Sequence, residues 1–288
     1  MAGDLTRALV VTGASSGIGR AVVEKAAAEG AAVFASVRNP ADGAALQAAF
    51  GARVTPLVFD VADEAAVRAG AAQVARALGA GRLVGVGNNA GIAVAGPLLH
   101  LPAEDLARQL DINLLGVHRV TQAFAPLLGA DPARAGAGGR IVMMSSVAGR
   151  FAQPFFGPYS ASKFALEAYS DTLRRELMLY GVDVIVIGPG AIHTPIWDKA
   201  EKMDFTRYDS TPYKTALGAV RAMALRLGRN GLPAHAVAAC VWRALTVKRP
   251  RTRYCVMRNS LAGDFLPRHL PPRWVDRIAA RAVGLMRK

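Results

Sequence analysis

The sequence predicts an α/β fold: a doubly wound parallel sheet of about seven strands with helices on both faces. Three observations predict it. Short apolar runs alternate with longer helical stretches along most of the chain, and repeated strand–helix–strand units give a parallel sheet covered on both sides. The first strand runs into a glycine-rich turn that opens a helix, Thr12-Gly13-Ala14-Ser15-Ser16-Gly17-Ile18-Gly19, the context that a dinucleotide-binding turn requires. The length, 288 residues with 52% hydrophobic side chains, suits one large core.

The elements follow in order. Ala8–Thr12 reads as the first strand and Ile18–Glu29 as an alanine-rich helix. Ala32–Val37 is the second strand, Asp42–Phe50 a short helix and Arg53–Phe59 the third strand. Asp63 and Glu64 open a helix toward Leu78, acidic where the helix dipole favours it. Leu83–Gly87 is a fourth strand weakened by glycine. Pro102 with Glu104 and Asp105 starts a long helix through His118 and Phe124. Gly139–Ser145 is the fifth strand, Tyr159–Tyr180 a long helix and Val182–Ile187 the sixth strand. The rhythm breaks from Gly190 to about Pro233, which reads as a lid or substrate loop. Ala234–Thr246 is a further helix, Arg253–Met257 the seventh strand, and Trp274–Met286 a basic amphipathic helix. The expected organisation is a single catalytic domain over 1–258, with its substrate loop at about 190–233, and a C-terminal tail over 259–288.

Composition excludes several classes. Charged residues are 19%, too few and too evenly spread for wholesale disorder. No apolar run reaches the roughly 18 residues that span a bilayer, and the segment before the first strand is too short for a signal peptide. A cytoplasmic location is the expectation. Cys240 and Cys255 fit no zinc or redox spacing, and no metal site is expected. The net charge of +14 comes mostly from scattered arginines, without a nucleic-acid motif, so no specific nucleic-acid partner is expected. That field attracts phosphorylated cofactors or acidic surfaces.

At the glycine-rich turn, Gly13, Ser15, Ser16, Gly17, Ile18 and Gly19 place backbone N–H groups at a helix N-terminus, where a pyrophosphate binds. The second strand ends Ser36-Val37-Arg38-Asn39. It offers no carboxylate to the ribose hydroxyls of NAD, and Arg38 can pair with a 2′-phosphate. NADP(H) is therefore preferred, with NAD(H) as the second choice. Asp60, followed by Val61, ends the third strand within reach of an adenine edge.

Tyr159 and Lys163 lie four positions apart. On a helix this puts them on one face, about 6 Å apart along the axis. A phenol ordinarily titrates near pKa 10, and an ammonium one turn away favours the phenolate, making the tyrosine a usable acid/base. Ser146, at the carboxyl end of the fifth strand, is placed to hold a substrate oxygen beside it. Its neighbour Ser145 should point away if the pleat persists.

These motifs together resemble the short-chain dehydrogenase/reductase family, a Rossmann fold, over about Leu5 to Met257. The resemblance rests on Thr12–Gly19, on Asn88-Asn89-Ala90-Gly91, on Asn113, on Ser146 with Tyr159 and Lys163, and on Pro189-Gly190 with Thr194. It implies that Tyr159 exchanges the proton on the substrate oxygen and that Lys163 binds the nicotinamide ribose and lowers the tyrosine pKa. It further implies that Ser146 polarises the carbonyl and that Asn113 holds a relay water. Asn89, Ala90 and Gly91 would seat the cofactor, and Pro189, Gly190, Ile192 and Thr194 would fix the nicotinamide face. Gly87 and Gly188 depart from the family pattern and are expected to loosen strand ends. His193 is expected to be a wall or surface residue.

The substrate wall is expected from Val94, Phe151, Phe155, Phe156, Ile196 and Trp197. Its apolar aromatic character suits a lipophilic ketone, aldehyde or alcohol. The Pro154–Tyr159 and Pro195–Trp197 stretches resemble steroid- and retinol-type members. Two other functions compete: a ketoreductase for 3-oxoacyl thioesters on an acidic carrier, and a non-catalytic NADPH-binding sensor. The resemblance also implies a homodimer or homotetramer through the helices holding Asn113 and Tyr159. The tail helix is expected to pack on the body or on a second subunit, with peripheral membrane contact as the less favoured alternative.

Overall fold

A computed structural model of the chain describes residues 3–131, 138–260 and 264–286, with the side chains of 199 and 200 left aside. Seven strands form one sheet: β1 (Asp4–Val11), β2 (Ala31–Val37), β3 (Val54–Val58), β4 (Gly85–Asn88), β5 (Arg140–Met144), β6 (Asp183–Pro189) and β9 (Arg253–Val256). Their order is β3-β2-β1-β4-β5-β6-β9, and every neighbouring pair is parallel. The order reverses between β1 and β4, the position at which such sheets bind ligands beyond the strand carboxyl ends. A small parallel pair, β7 (Ile192–His193) with β8 (Leu232–Pro233), closes the base of the substrate segment.

The pleat of β1 explains the two-sided core. Ala8 and Val10 face one layer, packed with Phe34, Val86, Val120, Phe124 and Leu166. That layer is formed by α3 (Glu64–Leu78), α4 (Ala103–Leu110), α5 (Gly116–Phe124) and α6 (Gly157–Glu176). Leu9 and Val11 face the other, packed with Val22, Val23, Ile185, Val237 and Val241. There the cover comes from α1 (Gly17–Ala28), α2 (Pro40–Phe50) and α9 (Ala234–Thr246). Buried on both faces, the central strands carry apolar side chains at successive positions rather than alternating ones.

The long helix expected after Pro102 is one continuous run interrupted by a π-turn at Asp111–Leu115, between α4 and α5. Such insertions re-aim side chains and recur at functional sites; this one carries Asn113.

The stretch from 190 to 233 is more ordered than a loop. It holds α7 (Ile196–Glu201), a 3₁₀ turn at Thr206–Tyr208 and the sixteen-residue α8 (Lys214–Arg229). Together with Phe155, the fully buried Tyr208 and α8's Ala216, Leu217 and Val220 make a third apolar cluster. The cap is tied to the body by an ion pair between Arg207 and Asp105 of α4 (2.6 Å). The tail forms a short α10 (Leu266–His269) and α11 (Pro272–Val283), and Val283 packs into the same third cluster.

Gly188 does not leave a loose strand end. The Arg253 guanidinium from β9 occupies the space that a Cβ there would take.

Candidate active site

The glycine-rich turn is shaped by close approach. Gly13 and Gly17 adopt left-handed backbone (φ 64° and 56°), which glycine adopts without strain. A Cβ on Gly19 would overlap the Gly13 carbonyl and Asn89 Nδ2, and one on Gly13 would meet Ala90 Cα at 2.8 Å. The turn is braced across the switch point. Thr12 Oγ1 accepts from the backbone N–H groups of Asn89 and Ala90 (3.0 Å each), and Asn89 Nδ2 donates to the carbonyls of Thr12 (2.9 Å) and Gly13 (3.1 Å). Asn89 thus holds the turn in shape. Ser16 is extended and makes no capping bond to α1, so no side chain competes for the helix's leading N–H groups, the donors an anion takes up. Thr194 lies over Gly17, its Cβ 3.3 Å from where a glycine Cβ would stand. The segment after β6 therefore packs directly against the turn.

Around that turn, Arg38 is exposed at the end of β2 and stands 3.8 Å from Asp60. Asp60 also accepts from the Ala62 N–H (3.0 Å). Val61 is buried against Gly116, whose Cβ would meet it at 2.8 Å. Pro189 and Ile192 are buried at the carboxyl end of the sheet, Gly190 donates to the Val256 carbonyl (3.0 Å), and His193 is exposed. Ser15 and Ile18 are half-buried in the turn, and Gly91 is exposed beside Asn113 Oδ1.

Ser146, just beyond β5, and Tyr159 and Lys163, on α6, come together. Ser146 Oγ accepts from the Ala148 N–H (3.1 Å) and donates to the Pro189 carbonyl (3.5 Å). Ser145 Oγ instead lies buried against Gly149 without a hydrogen-bond partner. Lys163 is buried, donates to the Met144 carbonyl (2.7 Å) and sits 5.8 Å from the centre of the Tyr159 ring. Burial pushes the Tyr159 phenol up from its usual value, with the Ser146 hydrogen bond opposing it. Burial also pulls the Lys163 ammonium down to about 8, with the charge of Glu167 working against the fall. Dehydration therefore outweighs the Ser146 hydrogen bond at the phenol, which stays protonated at neutral pH.

Asn113 is fully buried, and its side chain is spoken for. Ile92 N–H donates to its Oδ1 (2.9 Å), and its Nδ2 donates to the Ile92 carbonyl (3.0 Å) and to Ser162 Oγ (3.2 Å). Ser162 Oγ in turn donates to the Tyr159 carbonyl (2.7 Å). Gln109, one turn earlier, bridges Val94 N–H, the Ile92 carbonyl and the same serine. Asn113 and Gln109 thus lock the segment after β4 to the turn of α6 that carries Tyr159 and Ser162.

Several of these residues escaped the sequence reading. Gln109 had a detectable signal, an amide four positions before Asn113 on one helix face. Glu167 had a weaker one, a carboxylate one turn past Lys163. Arg253 had none. It reaches Glu167 from β9 (3.1 and 3.2 Å), and Arg150 pairs with the same carboxylate (3.6 Å).

The expected substrate wall divides. Val94 and Phe155 are buried, and Phe151 and Phe156 half-buried. Phe155 holds a left-handed backbone (φ 65°), costly for an aromatic residue and kept only by its surroundings. Its carbonyl accepts from Gly96 N–H (2.8 Å), and its ring meets Tyr213 edge-on. Ile196 is exposed. Trp197 is a pin: its indole rests on Gly228 and donates to the Ile192 carbonyl (2.7 Å).

The short chain dehydrogenase family model matches residues 7–204. A NADPH-dependent 3-dehydrocapnine reductase from Ornithobacterium rhinotracheale is 39% identical over 272 residues, 94% of this chain and 95% of its own. Mouse retinol dehydrogenase 5 is 32% identical over 284 residues, 94% of this chain and 86% of its own. Among solved structures, a short-chain dehydrogenase/reductase from Burkholderia phymatum in complex with NAD superposes with a TM-score of 0.73 at 29% identity, covering 88% of this chain and 89% of that one. The motifs, the sheet order and these matches lead to one conclusion: the chain belongs to the short-chain dehydrogenase family and is an oxidoreductase acting at CH–OH and carbonyl carbons.

Proposed function

We propose that this enzyme uses NADPH to reduce a lipophilic ketone or aldehyde, and by the reverse path oxidises the corresponding alcohol. The carrying observation is the Ser146–Tyr159–Lys163 cluster, with the phenol held protonated by burial. NADP(H), when bound, supplies or takes the hydride. The Ser146 and Tyr159 hydroxyls hold the substrate oxygen, and Tyr159 gives it a proton as negative charge develops. Lys163, cationic below about pH 8, reaches the ribose hydroxyls and steadies the phenolate that remains. Asn113 fixes the segments on which these groups stand, and the proton is restored from solvent along its side of α6.

The preference for NADPH rests on Arg38, which is exposed and only loosely engaged with Asp60, so its guanidinium is available to a 2′-phosphate. The name of the relative from Ornithobacterium rhinotracheale supports the same choice. Lipophilic substrates are supported by the Val94, Phe151, Phe155 and Phe156 wall and by the likeness to retinol dehydrogenases. We place the enzyme in the cytoplasm, in keeping with two free cysteines; among the described residues no helix is long and apolar enough to cross a membrane. We also propose a homo-oligomer through the outer faces of the π-turn with α5 and of α6, where Leu115 of the π-turn and Phe164 of α6 are exposed.

The test is NADPH oxidation across steroids, retinoids, aliphatic and aromatic ketones, and 3-oxoacyl thioesters, with wild type and Tyr159→Phe. Turnover of lipophilic carbonyls should fall by roughly 10²–10⁴ in the variant, the usual size of an acid/base contribution. No turnover by the wild type in either direction, with Tyr159→Phe indistinguishable, would sink the reading.

A further inference from the structure

The C-terminal helix α11 shows two apolar stripes where a helix packed only on the body needs one. Val275, Ala279 and Val283 recur every fourth residue and are at least half-buried, with Val283 seated in the cluster that α8 and Phe155 share. Trp274 and Ile278, also four apart and so on one face, are each 59% exposed. Just before α11, Phe265 and Leu266 are 49% and 41% exposed. Arg273, Arg277 and Arg281 form a further row at the same spacing, all exposed. At about 100° per residue, the arginine row borders the Trp274–Ile278 stripe on the side away from the body. Asp276, the one acidic residue of α11, falls on the opposite edge of the buried stripe. Exposed aromatic and branched side chains flanked by arginines, on a helix lying flat against its domain, are the signature of an interfacial helix.

We infer that α11 docks on an anionic lipid surface, with Trp274 and Ile278 entering the headgroup–acyl boundary and Arg273, Arg277 and Arg281 pairing with lipid phosphates. Charge selects this occupant over a second copy of the chain. An antiparallel two-fold contact would set each arginine row against its mate, and any second copy brings a further +14, whereas an anionic leaflet attracts the arginines. Position gives the docking a use. α11 shares its buried cluster with Phe155 and with Tyr208 and Leu217 of the cap, so a docked enzyme presents the substrate side of the molecule to the bilayer. The docking itself requires no catalysis and stands apart from the proposed reaction.

The experiment is co-sedimentation of the full-length protein with vesicles of phosphatidylcholine alone and of phosphatidylcholine mixed with phosphatidylglycerol, at low and high salt. Wild type should pellet with the mixed vesicles only, and high salt should release it. Each arginine replaced should weaken binding by about fivefold, so Arg273→Glu/Arg277→Glu/Arg281→Glu should lose at least about a hundredfold. Trp274→Ala/Ile278→Ala should also release the protein, while both variants keep the wild-type melting temperature. Equal pelleting on neutral and anionic vesicles, or pelleting untouched by both variants, would overturn the inference. So would a dimer in vesicle-free solution that Trp274→Ala/Ile278→Ala dissociates, which would assign this face to a second copy.

Discussion

Lys163 is the residue on which pH acts most directly. Its ammonium titrates at about 8 because it is buried, and Glu167 keeps that value from falling further. Below about pH 8 the charge is present, and above it the charge is lost. Carbonyl reduction should therefore decline as pH rises through about 8. Glu167→Gln removes the opposing charge, so the inflection should move to lower pH; a kcat–pH profile reads the shift, and an unmoved inflection would show that Glu167 acts only as a strut for Arg253. The same burial costs stability. The folded value of about 8 lies below the unfolded 10.5, so the unfolded chain binds the proton more tightly between them, and the penalty is full below pH 8 and fades toward 10.5. Lys163→Met should abolish turnover yet raise Tm at pH 7 by roughly 2–4 °C per kcal/mol relieved, an advantage that shrinks in alkaline buffer. At the other end of the cofactor site, Arg38→Ala should raise KM for NADPH on the order of 10- to 100-fold, the worth of a charge-assisted hydrogen bond, and leave KM for NADH nearly unchanged.

At the scale of elements, the cap and its tether matter most. The Arg207–Asp105 pair joins the cap to α4 (2.6 Å), with the Arg207 guanidinium lying over the Tyr208 ring. Its partly exposed position limits its worth to about 1 kcal/mol. Asp105→Asn should thus raise KM for the carbonyl substrate severalfold, leave Tm within a degree or two, and spare KM for NADPH; equal rises in both constants would show that the contact serves the cofactor site instead. The π-turn at Asp111–Leu115 is the other element with a clear function. By inserting a residue it turns Asn113 inward to Ile92 and Ser162, coupling the segment after β4 to the turn of α6 that carries Tyr159.

For the whole molecule, the parallel sheet and its switch point were legible because they are written in local chemistry. A glycine turn between an apolar strand and a helix, and a tyrosine and a lysine one turn apart, act over a few residues, and periodicity reports them directly. Even the direction of Ser145 and Ser146 follows from the alternation of a strand. Other features depend on chain segments far apart in sequence. Arg253 fills the room above Gly188 only because β9 lies beside β6. The cap formed helices α7 and α8 where composition suggested a loop: the third cluster seats α8, and Trp197 resting on Gly228 seats α7. The Tyr159 phenol is raised rather than lowered because α6 is buried to a depth, unreadable from a four-residue spacing, at which dehydration prevails. The sequence by itself determined which groups exist and on which face of which element they stand. Tertiary structure decided how much water each keeps, and with it which of them are charged.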